Sequence, residues 1–234
     1  KAKRLIARLD IKPPNLVNGG RCEGLRRIGD PAEFAMKYAS EGIDEISYQD
    51  VWASWSGSNG LLELLRSTSE SLLTPMSVGG GIRTLADALE ALRSGADKVV
   101  LCTAALNWPP LISDIARSLG SANVVVEVQE RDGFACCEHG RTRTTIRATD
   151  WAIKAAELGA GELVLSSVDL DGMGCGMNCA WIREVALAVT VPVIAHCGAG
   201  MSEHVVDAFA SGADGVMMAR LLHGLPGIAD PVPL

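Results

Sequence analysis

The sequence predicts a (β/α)8 barrel, on three observations. Strand-length apolar runs alternate with helix-length amphipathic stretches eight times along the 234 residues. That alternation builds a parallel sheet covered by helices. Hydrophobic residues make up 48% of the chain and aromatics only 4%, so the core must be aliphatic, as buried parallel strands require. The chain also repeats itself: a shift of 117 residues, half its length, superposes Gly42 on Gly159, Glu45 on Glu162, Pro75 on Pro192 and Gly81 on Gly198. The same shift superposes Gly95-Ala96-Asp97 on Gly212-Ala213-Asp214. Two four-strand halves related by a twofold axis close into eight strands, whereas the competing open, doubly wound sheet has no need of such a repeat. Residues 1–234 are expected to form one domain.

In order, residues 5–11 read as the first buried strand, and Pro13-Pro14-Asn15 opens a long loop to about residue 29. Asp30-Pro31 supplies an N-cap and a first-turn proline for a helix to Ser40. A strand over 45–51 leads into a loop over 52–59, flanked by Trp52 and Trp55, and a helix over 61–73. The third strand, 76–79, runs into Gly79-Gly80-Gly81 and a helix over 84–94. Strand 97–102 and helix 109–119 complete the first half. The second half starts with strand 123–129 and a small hairpin (133–137 and 141–145), then helix 149–158. Strand 162–168, an Asp- and Gly-rich loop and helix 179–189 follow. Strand 192–197, helix 202–211 and strand 214–219 finish the ring. Three prolines in residues 225–234 predict a truncated last helix.

The formal charge of −7 argues against nucleic acid as a main partner, since phosphate-backbone binding needs a basic surface. A small anionic substrate stays open, because backbone dipoles act locally. No apolar run reaches the length of a membrane span. The basic-then-apolar start, Lys1 to Ile6, is too short for a signal peptide; without an initiator Met, the chain is expected to lack its first residues. Seven scattered cysteines suggest reduced thiols in the cytoplasm, not a disulfide framework.

In such a barrel the chemistry lies where strands end and loops begin. Those positions are Asp10, Asp50, the Gly79–Gly81 turn, Cys102-Thr103, Gln129, Asp169, Asp171-Gly172, His196 to Gly200 and Ala219-Arg220. Glycine turns after the third and seventh strands fall in symmetry-related places. Their backbone N–H groups could hold a ligand with a phosphate at each end.

Taken together, Leu9-Asp10-Ile11-Lys12, Gly29-Asp30-Pro31, Gly42-Ile43-Asp44-Glu45 and Val78-Gly79-Gly80-Gly81-Ile82 form a specific pattern. Gly95-Ala96-Asp97-Lys98-Val99, Thr103-Ala104-Ala105, Gly159-Ala160-Gly161-Glu162, Asp169-x-Asp171-Gly172 and Gly198-Ala199-Gly200 extend it over nearly the whole chain. The sequence resembles the cyclase-subunit family of imidazole glycerol phosphate synthase, from histidine biosynthesis. That resemblance implies a lyase-type cyclase subunit of a cytoplasmic heterodimer, with no cofactor and no metal. Ammonia from a glutaminase subunit would attack a bis-phosphorylated ribulosyl formimino carboxamide nucleotide. Cyclisation and cleavage would give imidazole glycerol phosphate and an aminoimidazole carboxamide ribotide.

The family uses two aspartates, at the ends of strands one and five, as general acid and base. Asp10 matches the first, although a carboxylate there can also cap the following loop. Gln129 stands at the second, and an amide has no useful pKa for proton transfer. Glu127, one layer deeper on the same face, is a possible substitute, but an interior polar role suits it better. The resemblance assigns phosphate or substrate contacts to Gly80, Gly81, Thr103, Asp171, Gly172 and Gly198. Arg220 replaces a serine near the second phosphate and could grip it or fill the pocket. Asn18 stands for a usual lysine, Cys102 for an asparagine, and His196-Cys197 for small residues. At the opposite face, Arg4, Glu45, Lys98 and Glu162 match a ring of charges that gates ammonia from the glutaminase.

Cys136-Cys137-x-His139 and Cys175-x3-Cys179 lack the paired spacing of a metal site. Trp52 and Trp55 could stack on a ligand, and His204 and His223 read as helix-surface residues. Two further readings fit the departures: a paralogous ammonia-dependent subunit acting on a surface-carbohydrate precursor such as a nucleotide sugar, or a non-catalytic activator of a glutaminase. The pathway's sister sugar isomerase fits less well, since it needs two carboxylates and no charge ring.

Overall fold

The structure, a computed structural model, describes residues 2–20, 23–53 and 60–224. The twelve strands are β1 (Arg4–Lys12), β2 (Asn15–Gly20), β3 (Glu23–Gly29), β4 (Glu45–Asp50), β5 (Met76–Gly79), β6 (Lys98–Leu101), β7 (Val124–Arg131), β8 (Phe134–Cys137), β9 (Thr142–Arg147), β10 (Glu162–Ser167), β11 (Val193–His196) and β12 (Gly215–Met218). Eight of them, β1, β4, β5, β6, β7, β10, β11 and β12, pair in parallel in that order, and β12 returns to β1. This is the closed (β/α)8 barrel expected from the sequence.

The described helices are α1 (Pro31–Ser40), α2 (Leu62–Ser69), α3 (Leu85–Arg93), α4 (Thr103–Asn107), α5 (Pro110–Leu119), α6 (Ala148–Glu157), α7 (Cys179–Ala188) and α8 (Ser202–Ala210). Local chemistry sets several of their starts. Asp30 accepts from the backbone N–H groups of Ala32 and Glu33 at 2.9 and 3.1 Å. Thr84 and Asp87 form a reciprocal capping box at the head of α3, directly after the glycine turn. Asn178 caps α7.

Strand alternation divides the core in two. Outward residues such as Ala7, Leu9, Val126, Val128, Leu163 and Leu165 pack against the helices. Inward residues Ile6, Val100, Val125, Val164, Ile194 and Met217 form a separate apolar layer inside the barrel.

The structure corrects the sequence reading in two places. The region after β1, expected as a loop to residue 29, is an antiparallel hairpin of β2 and β3. Its alternation is weak because Gly19, Gly20, Gly24 and Gly29 interrupt it. A short helix, α4, follows β6 where none was expected. The expected hairpin in the second half is present as β8 and β9. The expected truncation over 225–234 and the role suggested for Trp55 lie outside the described residues.

Candidate active site

Every second residue of β1 points into the barrel, and these four side chains mark its layers from bottom to top. Arg4 belongs to a charged floor, Ile6 to the apolar layer, Arg8 to a buried polar layer and Asp10 to the mouth. On β7, Val125, Glu127 and Gln129 occupy the same three upper levels.

The floor joins the four charges singled out in the sequence. Arg4 pairs with Glu45 at 3.0 Å and with Glu162. Lys98 lies 2.8 Å from Glu45 and 3.6 Å from Glu162. Two bases alternate with two acids, so each carboxylate is shared. Burial opposes the Arg4 charge, but both carboxylates hold its pKa above the usual arginine value.

The third layer is an ion-pair network that sequence reasoning half missed. Arg8, only 4% exposed, donates through Nε to Asp10 at 2.8 Å and through Nη1 to Glu127 at 2.9 Å. Ser166 donates to the same Glu127 oxygen at 2.7 Å. Burial pushes the Glu127 carboxyl up, but Arg8, His196 and Ser166 outweigh it and hold the pKa near 2. Glu127 is therefore a carboxylate at neutral pH, occupied by Arg8, which does not suit it to serve as a proton donor beneath Gln129. An arginine two residues before Asp10 on an inward face was the available signal for this pair.

Above this layer the mouth has two lobes. The larger, about 350 Å³, is bordered by Gly80, Gly81, Thr103, Cys102, Gln129 and Arg83. The smaller is bordered by Asp10, Asn18, Gly172, Gly198, Cys197 and Arg220. His139, on the turn between β8 and β9, borders both. The glycine turns of the two half-barrels thus border different lobes, while Gln129 from the second half borders the larger lobe and Asp10 and Asn18 from the first half border the smaller. Gly80 has φ +88°, and a Cβ there would lie 2.3 Å from the Asp50 carbonyl oxygen. Gly198 has φ +98°, and its Cβ would lie 2.0 Å from the Gly176 carbonyl oxygen. Each lobe therefore has a glycine that closes on the backbone of the preceding loop.

Individual side chains refine the expectations. Gln129 is buried, and its Oε1 has no hydrogen-bond partner among the described residues. Thr103 Oγ1 accepts from the Glu138 backbone N–H at 2.9 Å, pinning the β8–β9 turn beside the larger lobe. Arg220 donates to Asn18 Oδ1 at 3.1 Å and to the Gly19 carbonyl at 3.4 Å, which ties β2 to the end of β12. Burial pushes the Cys102 thiol well up, so it stays protonated. Burial and then Arg8 push the His196 pKa down, so its ring is neutral at pH 7.

Trp52 lies under the Lys12 ammonium, 4.0 Å from nitrogen to ring centre. His223 is not a surface residue: it accepts from or donates to Tyr38 Oη at 2.6 Å, and burial lowers its pKa to about 4. His204 Nδ1 accepts from the Gly200 N–H at 3.1 Å. The described cysteines are all free thiols, and no described helix is long and apolar enough to cross a membrane.

Eight parallel strands closed into a barrel, with two lobes at their C-terminal ends and Asp10 bordering the smaller, define an enzyme-type (β/α)8 barrel with its site at those strand ends. The histidine biosynthesis protein family matches residues 4–225, and the chain belongs to that family. It is 44% identical to imidazole glycerol phosphate synthase subunit HisF of Mycobacterium tuberculosis strains ATCC 25177 / H37Ra and CDC 1551 / Oshkosh, over 95% of this chain and 87% of theirs. The subunit from Mycobacterium bovis BCG Pasteur matches to the same extent.

Proposed function

We propose that the chain is a cyclase-type subunit of imidazole glycerol phosphate synthase. It would take ammonia from a glutaminase docked at the charged floor and use it on a bis-phosphorylated formimino nucleotide in the mouth. The observation that carries this reading is the pair of lobes, each with a glycine turn, and Asp10 on the border of the smaller one. The two glycine turns come from opposite half-barrels, and the N–H groups of each suit a phosphate. Asp10 is the proton-transfer group: its side chain is partly exposed to the mouth and anchored by Arg8. Gly80, Gly81 and Thr103 would hold one phosphate, and Gly172, Gly198 and Arg220 the other, with Asp171 contacting another part of the substrate.

The test is consumption of the formimino nucleotide by purified protein supplied with ammonium salt. Product formation, lowered about 10²- to 10⁴-fold by Asp10→Asn, supports the assignment. No consumption at high enzyme concentration overturns it.

One observation favours a second reading. Gln129 occupies the expected second carboxylate position, and Glu127 beneath it is committed to Arg8. A paralogous subunit that passes ammonia to another phosphorylated acceptor, such as a nucleotide sugar, has no need of that second carboxylate. Turnover of such an acceptor with ammonium, without turnover of the formimino nucleotide, would select it.

A further inference from the structure

The two half-barrels differ at one place in a way the proposed reaction does not use. Gly79, Gly80 and Gly81 end β5 in the first half. Their partners under the half-chain repeat are His196, Cys197 and Gly198 at the end of β11. The backbone conformation is retained across the replacement: φ is +88° at Gly80 and +71° at Cys197. A non-glycine residue in that region is strained, and such strain is concentrated at functional positions.

The strain has a geometric result. Consecutive side chains of a strand point to opposite faces, so Cys197 would normally face the helices while His196 faces the barrel interior. The left-handed turn at Cys197 brings its sulfur to the same side. Its thiol donates to Asp171 Oδ1 at 3.7 Å. One donor atom each from Asp171, His196 and Cys197 lies within 4.8 Å of the others. The histidine is already prepared as a ligand. Nδ1 lies 3.0 Å from the Met217 carbonyl oxygen, which can only accept, so Nδ1 carries the proton and Nε2 keeps its lone pair.

We propose that Asp171, His196 and Cys197 form a binding site for a divalent transition metal, zinc above all, with a fourth position open to the smaller lobe. One imidazole, one thiolate and one carboxylate suit zinc better than magnesium or calcium. Three protein ligands leave a tetrahedral ion one place for water or a substrate oxygen. Bond lengths of zinc to nitrogen and sulfur imply donor separations of about 3.5 Å, so the three side chains close inward by roughly 1 Å on binding. Local charge permits it. Arg8 is matched by Asp10 and Glu127, and Arg220 faces Asp171. Three carboxylates against two guanidiniums leave one negative charge, and loss of the thiol proton makes two, which a divalent cation neutralises. Metal binding releases that proton to solvent, and no bond within the protein breaks. The site shares Asp171 and the smaller lobe with the substrate contacts proposed above, and metal binding is measured without any acceptor present.

The test uses the whole purified chain, stripped with chelator and titrated with Co2+ and then Zn2+. The site predicts one Co2+ per chain, with a thiolate charge-transfer band in the near ultraviolet and visible bands of tetrahedral strength. Asp171→Asn and His196→Ala should each weaken Zn2+ binding about 100-fold or more, since even outer-shell partners account for 10- to 100-fold. Cys197→Gly is the decisive variant. Glycine suits the +71° backbone, so this protein should melt no lower than the wild type while losing the thiolate band. Two results would overturn the proposal: no thiolate band in the wild type, or a band that survives Cys197→Gly and disappears in Cys175→Ser or Cys179→Ser. If His196→Ala does not fold, His196→Gln replaces it, and undiminished zinc affinity there also rejects the site.

Discussion

At the scale of the residue, Glu127→Gln would leave the buried Arg8 guanidinium with Asp10 alone of its two carboxylates. Removing one partner of a buried pair costs about 3–5 kcal/mol, because the remaining charge cannot regain water. The same pair shapes the acid limb of stability. The Glu127 pKa falls from 4.5 to about 2 on folding, so its contribution is present above pH 4.5 and is lost as pH drops through 2. A shift of that size corresponds to roughly 3 kcal/mol. Urea unfolding from pH 6 to pH 2 should show the wild type losing stability steeply below pH 4.5, and Glu127→Gln, weaker throughout, should show a flatter profile over that window. Equal slopes would remove Glu127 from the account. Gly80→Ala tests the other kind of constraint. The added methyl meets the Asp50 carbonyl oxygen at 2.3 Å in a left-handed conformation, so a loss of about 1–3 kcal/mol in denaturant unfolding is expected.

At the scale of the element, helix starts and the glycine turns were legible because their signals are local. Asp30-Pro31 and Thr84-x-x-Asp87 announce their caps in four residues or fewer. Thr84→Ala should cost about 1 kcal/mol in thermal or urea unfolding, with little effect on ligand affinity. The β2–β3 hairpin was not legible, since its strands hold through pairing with β1 and through the Arg220 contacts to Asn18 and Gly19, and not through their own pattern. Arg220→Ala should therefore raise amide exchange across 15–20 while leaving β7 and β10 protected. Unchanged exchange there would mean that the hairpin stands without that tie.

At the scale of the whole molecule, the half-chain repeat gave the closed barrel, and the layers inside it follow from strand alternation alone. The charge ring was legible from the resemblance because all four residues begin strands. The Arg8–Glu127 pair was only half legible: its partners are 119 positions apart, and only closure of β1 and β7 around one interior brings them within 2.9 Å. The Asp171, His196 and Cys197 cluster was not legible, since it depends on a left-handed backbone at Cys197 that no spacing encodes. The floor carries its own prediction. With a glutaminase partner present, Glu162→Gln opens the ring and should lower glutamine-driven turnover several-fold, while turnover with ammonium salt stays unchanged. Equal loss by both ammonia sources would make the ring a purely structural feature.

The central claim is that the family's cyclase mouth is retained apart from one proton-transfer group. Ammonium-supported turnover of the formimino nucleotide, measured for the wild type and for Gln129→Asp side by side, tests it most directly. The account predicts slow turnover by the wild type and a rise of about 10²-fold or more on restoring the carboxylate, the usual contribution of a positioned acid or base. No turnover by either protein, with both folded, would contradict it.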